Sequence, residues 1–534
     1  MNYLQFLVAT LLGFPAVIFL IFLIHIVFYF VDPYGIRQYP GPFLAKITPA
    51  WLGWVAQQGH RSEVIHELHK KYGPFVRVSP SELSIADPEA LGVIYGHGNG
   101  ALKSSYYDAF LSIAPNVFTT RDRAQHARKR KMVSHIFSKK SVLEFQPHIR
   151  LHIATLLGQW DRLYDDAVKG LSGTDGEGGW TGHEGRLWLD CLPWLAYLAF
   201  DIIGDLAFGS PFGMLTSAHD TAPIPATVAA LGDVNFPNPE IKHIPAIAML
   251  NGRGEYTSSM AVLPAWWRPF IAQLAWYRAR TLNSRELSGM AIVAVAKRLA
   301  APTDRVDILS KLQEGKDESG QPLGRTELTV EAQSFLGAGS DTTSNSITAI
   351  IYHLAANPAA QARLQEELVE SLDDGYDPVA TYEQIKNLPY LDACIHEALR
   401  IHATSALGLP RVVPEGGLVV LGRFIPAGTV VGVPTYTIHR DPDVWGYDSN
   451  LYRPERWLNT DKAAMMHKTF NVFSAGPRIC VGRNLAELEL LLIVATLVRR
   501  YHFVLAEPEK PLATHEGFLR KPVRCDVGIK RRDV

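Results

Sequence analysis

The chain has 534 residues, 47% of them apolar and 20% charged, which predicts a folded globular protein of two sub-domains or one large elaborated domain, not a disordered or fibrous one. With 52 Lys and Arg against 53 Asp and Glu, the net charge of −1 excludes a nucleic-acid binder driven by overall charge. Four cysteines without zinc or redox spacing (Cys191, Cys394, Cys480, Cys525) exclude a disulfide framework, and with no Asn-x-Ser/Thr sequon they read as a cytosolic domain.

Residues 4–31 are almost uninterrupted hydrocarbon, broken by Gln5, Thr10 and His25. About 20 such residues cross a bilayer as a helix. A cleaved signal peptide would need a basic start, a shorter apolar core and a small-residue cleavage site, none of which is present. Arg37, Lys46, Arg61, Lys70 and Lys71 all follow the stretch and no basic residue precedes it, so the large domain is expected on the cytoplasmic side of a single-pass anchor. Residues 32–52, containing Tyr39-Pro40-Gly41-Pro42, are expected to form a stiff linker to a domain over 53–534.

Helical patterns dominate the rest, with a small β portion. Residues 61–71 are amphipathic, and Phe75-Val76-Arg77-Val78 alternates like a strand. Gly96-His97-Gly98-Asn99-Gly100-Ala101 has the spacing of a dinucleotide loop, but no helix start follows it, so that reading is rejected. The segment 106–118 is rich in aromatics: Tyr106, Tyr107, Phe110 and Phe118 suit a flat ring, and Ser104, Ser105, Tyr106, Tyr107 or Asn116 could hydrogen-bond a carboxylate. Residues 121–140 carry eight Lys or Arg at helical spacing, which reads as a partly solvated face or a dock for an acidic partner. Within it His126 and Arg130 share a helix face.

Further helices are predicted over 124–137, 194–208, 329–356, 358–372 and 391–402, strands over 418–421 and 429–433, and surface loops over 170–185 and 314–325. In the helix over 329–356, Thr329 is the expected N-cap. Gly337 and Gly339 each cost about 1 kcal/mol relative to alanine, which suggests that something approaches the backbone there. Asp341 and Thr342 could relay protons; alternatively Thr342 only back-bonds to the Ala338 carbonyl. Glu397 and Arg400 lie three apart and can pair, a weak signal by itself.

Phe473-Ser474-Ala475-Gly476-Pro477-Arg478-Ile479-Cys480-Val481-Gly482-Arg483 leads into a helix over 484–499. A thiolate just before a helix gains from free N–H groups and the dipole, Gly476 and Gly482 permit turns and close approach, Phe473 can pack beside the sulfur and Arg478 can pair with a carboxylate. The bland alternative is a buried cysteine acting as a small hydrophobe.

The whole constellation Phe-x-x-Gly-x-Arg-x-Cys-x-Gly resembles the haem-binding signature of the cytochrome P450 family at every fixed position, and three further motifs in order extend the resemblance over about residues 40–530. It implies a mainly α cytochrome P450 fold, a helical haem domain with a small β-rich sub-domain. It also implies haem b (iron protoporphyrin IX) ligated by Cys480, an Ala-Gly-x-Asp-Thr-Thr proton-delivery motif, and a buried triad of Glu397, Arg400 and Arg456 serving folding. His126, Arg130 and Arg411 would hold the haem propionates; many relatives carry Trp where His126 stands.

No flavin domain fits in the residues after Cys480, so electrons are expected from a separate NADPH–cytochrome P450 reductase, with cytochrome b5 as a second donor, at the endoplasmic reticulum membrane. The segments 94–100, 201–209 and 517–522 are similar to the fungal benzoate 4-monooxygenases, implying para-hydroxylation of benzoate with dioxygen. Rival expectations are the same chemistry on another aromatic or phenylpropanoid substrate, or a haem-thiolate isomerase or dehydratase. The intact Asp341-Thr342 pair argues against the latter.

Overall fold

A computed structural model describes residues 19–227, 233–234, 240–301, 304–317, 319–372, 377–458 and 461–533. The helices that frame the interior are α1 (Phe19–Val31), α2 (Arg61–Tyr72), α3 (Arg123–Ser134), α4 (Gln146–Ala167), α5 (Cys191–Phe208), α6 (Ala246–Ala261), α7 (Ala275–Ala300), α8 (Arg325–Ala356), α9 (Pro389–Ile401) and α10 (Arg483–Arg500). A first sheet joins β1 (Phe75–Ser79), β2 (Glu82–Ile85), β3 (Leu102–Lys103), β4 (Arg411–Val412) and β5 (Val430–Gly432) in the order β1-β2-β5-β4-β3. β5 runs parallel to β2 and the other pairs are antiparallel.

Helix α1 exposes Phe19, Leu20, Ile21, Phe22 and Ile24, the surface expected of a segment that meets lipid; residues 4–18 of the expected anchor lie outside the described residues. The segment after it is not a free spacer. Ile36 and Tyr39 are buried, the Arg77 N–H donates to the Pro40 carbonyl at 2.7 Å, and a Cβ on Gly41 would sit 2.2 Å from the Arg77 carbonyl oxygen. The chain is thereby stapled along β1.

Among the described residues helix α5 is the one helix long and apolar enough to cross a membrane, α1 being a shorter apolar helix, but 89% of α5 is buried inside the protein. Its polar residues explain why it belongs to the core. Asp201 accepts the N–H groups of Gly213, Met214 and Leu215, and Asp205 pairs with His152 at 3.2 Å and Arg305 at 2.7 Å. Satisfied in this way, two carboxylates can sit among leucines and phenylalanines without the desolvation cost of free charge.

Several elements depart from the expected pattern. Helix α8 starts at Arg325, so Thr329 is a buried helical residue bonding back to the Arg325 carbonyl, not a cap. The expected loop over 170–185 contains two short strands, Ser172–Gly173 and Trp180–His183. They extend a second sheet whose order is Tyr501–Leu505, Asp526–Arg531, Arg186–Asp190, Trp180–His183, Ser172–Gly173. The glycine run over 96–101 follows a helix (Glu89–Tyr95) and precedes strand β3, the reverse of a dinucleotide loop.

Candidate active site

The loop ahead of α10 is folded so tightly that its residue types are dictated. Ser474 and Gly476 both take left-handed backbone angles, φ +61° and +67°. A Cβ on Gly476 would lie 1.9 Å from the Tyr95 carbonyl oxygen, so no other residue fits. The Cys480 N–H donates to the Phe473 carbonyl at 2.9 Å, which pins the sulfur-bearing residue across the loop. Gly482 has an ordinary φ of −82°, and a Cβ there would meet only the Cys480 sulfur, at 4.0 Å. The Phe473 ring lies under the Arg483 guanidinium, 5.7 Å away.

Alone of the four cysteines, Cys480 has exposed surface, which opens into a cavity of about 390 Å³. Burial raises its pKa, against the opposing pull of the Gly482 N–H and the charges of Arg130 and Arg483. Helix-end electrostatics alone therefore do not produce a thiolate here; a coordinated metal ion would, because metal ligation deprotonates a thiol.

Helix α8 forms another wall of the same cavity, through Gly337, Ala338, Gly339, Asp341 and Thr342. The room left by Gly339 is taken by Ile203 of α5, whose Cδ1 lies 3.0 Å from where a Cβ would stand. The glycine thus serves helix packing. The Thr342 hydroxyl donates to the Ala338 carbonyl at 2.7 Å, as the back-bonded alternative requires, and its oxygen still borders the cavity. Asp341 is clamped by Lys521 at 2.5 Å and by Asn345 at 3.0 Å. Thr343, one residue on, donates to Glu489 of α10 at 3.0 Å; burial pushes that carboxyl up to about 8, so it is uncharged at neutral pH.

A set of cations closes one side. Asp122 caps α3 by accepting the Gln125 N–H, and one turn in, His126 and Arg130 face the cavity. Arg130 donates to the Ile479 carbonyl at 2.6 Å and Arg478 to the Thr120 carbonyl at 2.6 Å, tying α3 to the cysteine loop. Lys103 and Arg411 are register partners on β3 and β4, two like charges side by side, an arrangement that is unfavourable by itself. Lys103 lines the cavity; Arg411 sits behind it, buried and donating to the Tyr107 hydroxyl at 2.8 Å.

No carboxylate among the described residues lies within ion-pair distance of Lys103, Arg130, Arg411 or Arg478. The consequences are visible in the acid–base balance. Burial and the neighbouring Arg478, Lys103, Arg130 and Arg411 depress His126 to about 3, and burial with Arg411 lowers Arg478 to about 10. Lys103 is pushed well down by burial, Arg411 and Arg478. Uncompensated buried positive charge beside a cavity calls for an anion. A haem, with two carboxylates at its edge and an iron for the sulfur, fits this donor set.

Glu397, Arg400 and Arg456 meet away from the cavity as a fully buried knot. Arg400 grips Glu397 through two bonds of 2.8 Å and Arg456 adds one of 2.7 Å. The remaining guanidinium protons go to the carbonyls of His439, Ser449 and Trp445.

Among the residues expected near a substrate, Phe110, Asn116 and Phe118 line the cavity, whereas Tyr106 and Tyr107 are buried behind that wall. Ser104 caps the short helix Ser105–Phe110 by accepting the Tyr106 N–H, which turns both tyrosines away. The side-chain oxygen of Asn116 is occupied by the Phe118 and Thr119 N–H groups at 3.0 and 2.9 Å. Lining residues that the sequence reading did not single out include Lys103, Arg253 and Glu489, while Phe518 and Lys521 come from the segment 517–522, noted there for its resemblance alone. The basic stretch 121–140 is only partly solvated. Arg128 and Lys129 pair with Glu327, and Lys129 also with the buried Glu331, leaving Arg123, Lys131, Lys139 and Lys140 exposed.

The cytochrome P450 family profile matches residues 40–529. A benzoate 4-monooxygenase of Aspergillus niger is 43% identical over 519 residues, covering 95% of this chain and 96% of that protein. A pisatin demethylase of Fusarium vanettenii is 31% identical over 480 residues, covering 88% and 83%, and a cytochrome P450 monooxygenase of Emericella nidulans is 30% identical over 522 residues, covering 95% and 96%. With a cysteine loop, a cavity and a cation set that suit a haem-thiolate centre, and similarity along almost its whole length, the chain belongs to the cytochrome P450 family of monooxygenases.

Proposed function

We propose that this chain hydroxylates benzoate at the para position, consuming dioxygen, two electrons and two protons and releasing 4-hydroxybenzoate and water. The observation that carries the reading is the 43% identity to a benzoate 4-monooxygenase over 95% of the chain. The aromatic rim of Phe110, Phe118 and Phe518 supports it, because edge-to-face rings 4.7 to 5.8 Å apart leave a surface suited to one more flat ring.

Bound haem b supplies dioxygen activation, promoted by a thiolate ligand. Cys480 is that ligand, from a loop whose geometry Gly476 permits and beside which Phe473 packs. His126, Arg130 and Arg478 would hold the propionates, with Arg411 acting through Lys103 and the β3–β4 pair. Asp341 and Thr342 pass protons into the cavity. The Lys521 ammonium orients Asp341, and the Thr342 oxygen keeps a lone pair for the cavity while its own proton is donated to Ala338. Residues 4–31 anchor the chain in the endoplasmic reticulum membrane, 32–52 connect, and 53–534 form the catalytic domain on the cytosolic side. Electrons come from NADPH–cytochrome P450 reductase, with cytochrome b5 as a second donor, docking on the exposed Arg123, Lys131, Lys139 and Lys140.

Two measurements test this. The holoenzyme reconstituted with the reductase should convert benzoate to 4-hydroxybenzoate with one labelled oxygen from ¹⁸O₂; absence of both product and a benzoate-induced spin shift sinks the substrate. Cys480→Ser should lose the reduced-carbonyl Soret band of thiolate ligation. A variant that keeps that band shows that the sulfur is not the ligand.

A further inference from the structure

Six cationic or ionisable basic side chains line the cavity: Lys103, His126, Arg130, Arg253, Arg478 and Lys521. Four of them (Lys103, His126, Arg130 and Arg478) form the group beside the cysteine loop. Lys521 is neutralised by Asp341 and also donates to Asn251 at 2.7 Å. Arg253 stands apart. It belongs to α6, where Leu250, Arg253, Gly254 and Thr257 recur at helical spacing and all face the cavity. Among the described residues its guanidinium makes one polar contact, a 3.1 Å bond from Nη2 to the Phe110 carbonyl, and has no carboxylate partner.

The geometry points to Arg253 as the anchor for the substrate's carboxylate, its guanidinium gripping the anion while the ring lies against Phe110, Phe118 and Phe518. The assignment rests on the benzoate reading above and adds to it the residue that selects an aromatic acid over a neutral ring. Three features converge on it. The side chain is held by its bond to the Phe110 carbonyl, and the Phe110 ring meets Phe518 edge-to-face at 4.7 Å, so cation and aromatic platform are one unit. The C-terminal hairpin closes over it, since a Cβ on Gly517 would lie 2.7 Å from the Gly254 backbone carbon. Burial alone lowers Arg253, to about 10, with no charged neighbour contributing, so at neutral pH a full positive charge waits at the cavity wall. A planar carboxylate matches a guanidinium fork in a way that hydroxyls cannot. The tyrosine and asparagine side chains of 106–116 are turned away or already bonded.

The test compares benzoate with nitrobenzene, the uncharged molecule of the same shape, by spin-state titration of the holoenzyme and by equilibrium dialysis. Wild type should prefer benzoate. Arg253→Gln should weaken benzoate by about 10- to 100-fold, the range expected for a lost charge-assisted bond, and leave nitrobenzene within about twofold. Arg253→Lys should recover part of the preference. An unchanged reduced-carbonyl spectrum shows that each variant is folded and loaded. Should Arg253→Gln keep the wild-type preference, or weaken both ligands equally, the anchor is elsewhere, and a larger selective loss in Lys521→Met would place it on the hairpin. These outcomes overturn the anchor while benzoate remains a ligand. A wild-type protein that binds nitrobenzene but not benzoate overturns both the anchor and the substrate.

Discussion

This protein buries two clusters of charge and resolves them in opposite ways. Around Glu397, both guanidiniums share one carboxylate, and although burial works to raise the Glu397 carboxyl, the bonds and charges of Arg400 and Arg456 hold it below the usual range. Around His126, by contrast, Lys103, Arg130, Arg411 and Arg478 repel one another and have no carboxylate at ion-pair distance among the described residues. A buried knot that balances its own charge is structure. A buried group that does not is a request for a ligand, because the desolvation cost of each lone charge is several kcal/mol.

The largest effect should come from the balanced cluster. Glu397→Gln leaves Arg400 buried without a carboxylate and Arg456 with only Asp448 at 3.3 Å, and a loss of about 3–5 kcal/mol is expected in urea unfolding. Because the Glu397 pKa is depressed, its contribution is present above the unfolded value of about 4.3 and fades as pH falls below it, so the variant's deficit should shrink in acid. A cost under about 1 kcal/mol at neutral pH would erase the distinction between the clusters. In the unbalanced cluster, Arg478→Gln should leave stability nearly unchanged and instead speed haem transfer to apomyoglobin about tenfold. The exposed Lys131→Gln should not change the transfer rate, and equal rates in all three proteins would remove the ligand-binding meaning of the cluster.

The smaller stability effect tests the uncharged acid between α8 and α10. The Glu489 pKa is raised to about 8, so its stabilising share is present below the unfolded value and is lost as pH rises through about 8. The margin by which Glu489→Gln, which imitates the protonated form, exceeds wild type should widen by about 2 kcal/mol between pH 6 and pH 9 in thermal unfolding. A variant that falls below wild type at both pH values contradicts a protonated Glu489.

The site was legible where its residues are neighbours in sequence. The loop 473–483 carries its turn glycine, its cysteine and its arginine within eleven positions, and α8 and α9 show their periodicity over three or more turns, so Cys480, Thr342 and Glu397 could be singled out locally. Boundaries were less secure: Thr329 resembles a cap, yet α8 starts four residues earlier, at Arg325, with Gly324 as its N-cap, and the Thr329 hydroxyl bonds back to the Arg325 carbonyl. Helices α4, α6 and α7 and the second sheet were missed. The strands of that sheet come from 172–190 and 501–531, and a pairing across so many residues leaves no local trace.

By itself the amino-acid order determined the chemistry at one sulfur, the helix that faces it and the apolar N-terminal segment, since each depends on side chains a few residues apart and on backbone angles that only certain residues reach. Which cations gather at the cavity was decided in three dimensions. The β3–β4 register set Lys103 beside Arg411, the short helix Ser105–Phe110 with its serine cap left Tyr106 and Tyr107 buried behind the cavity wall, and the packing of α6 under the C-terminal hairpin brought Arg253 to the wall. Charge acts through space, and only the folded chain sets those distances.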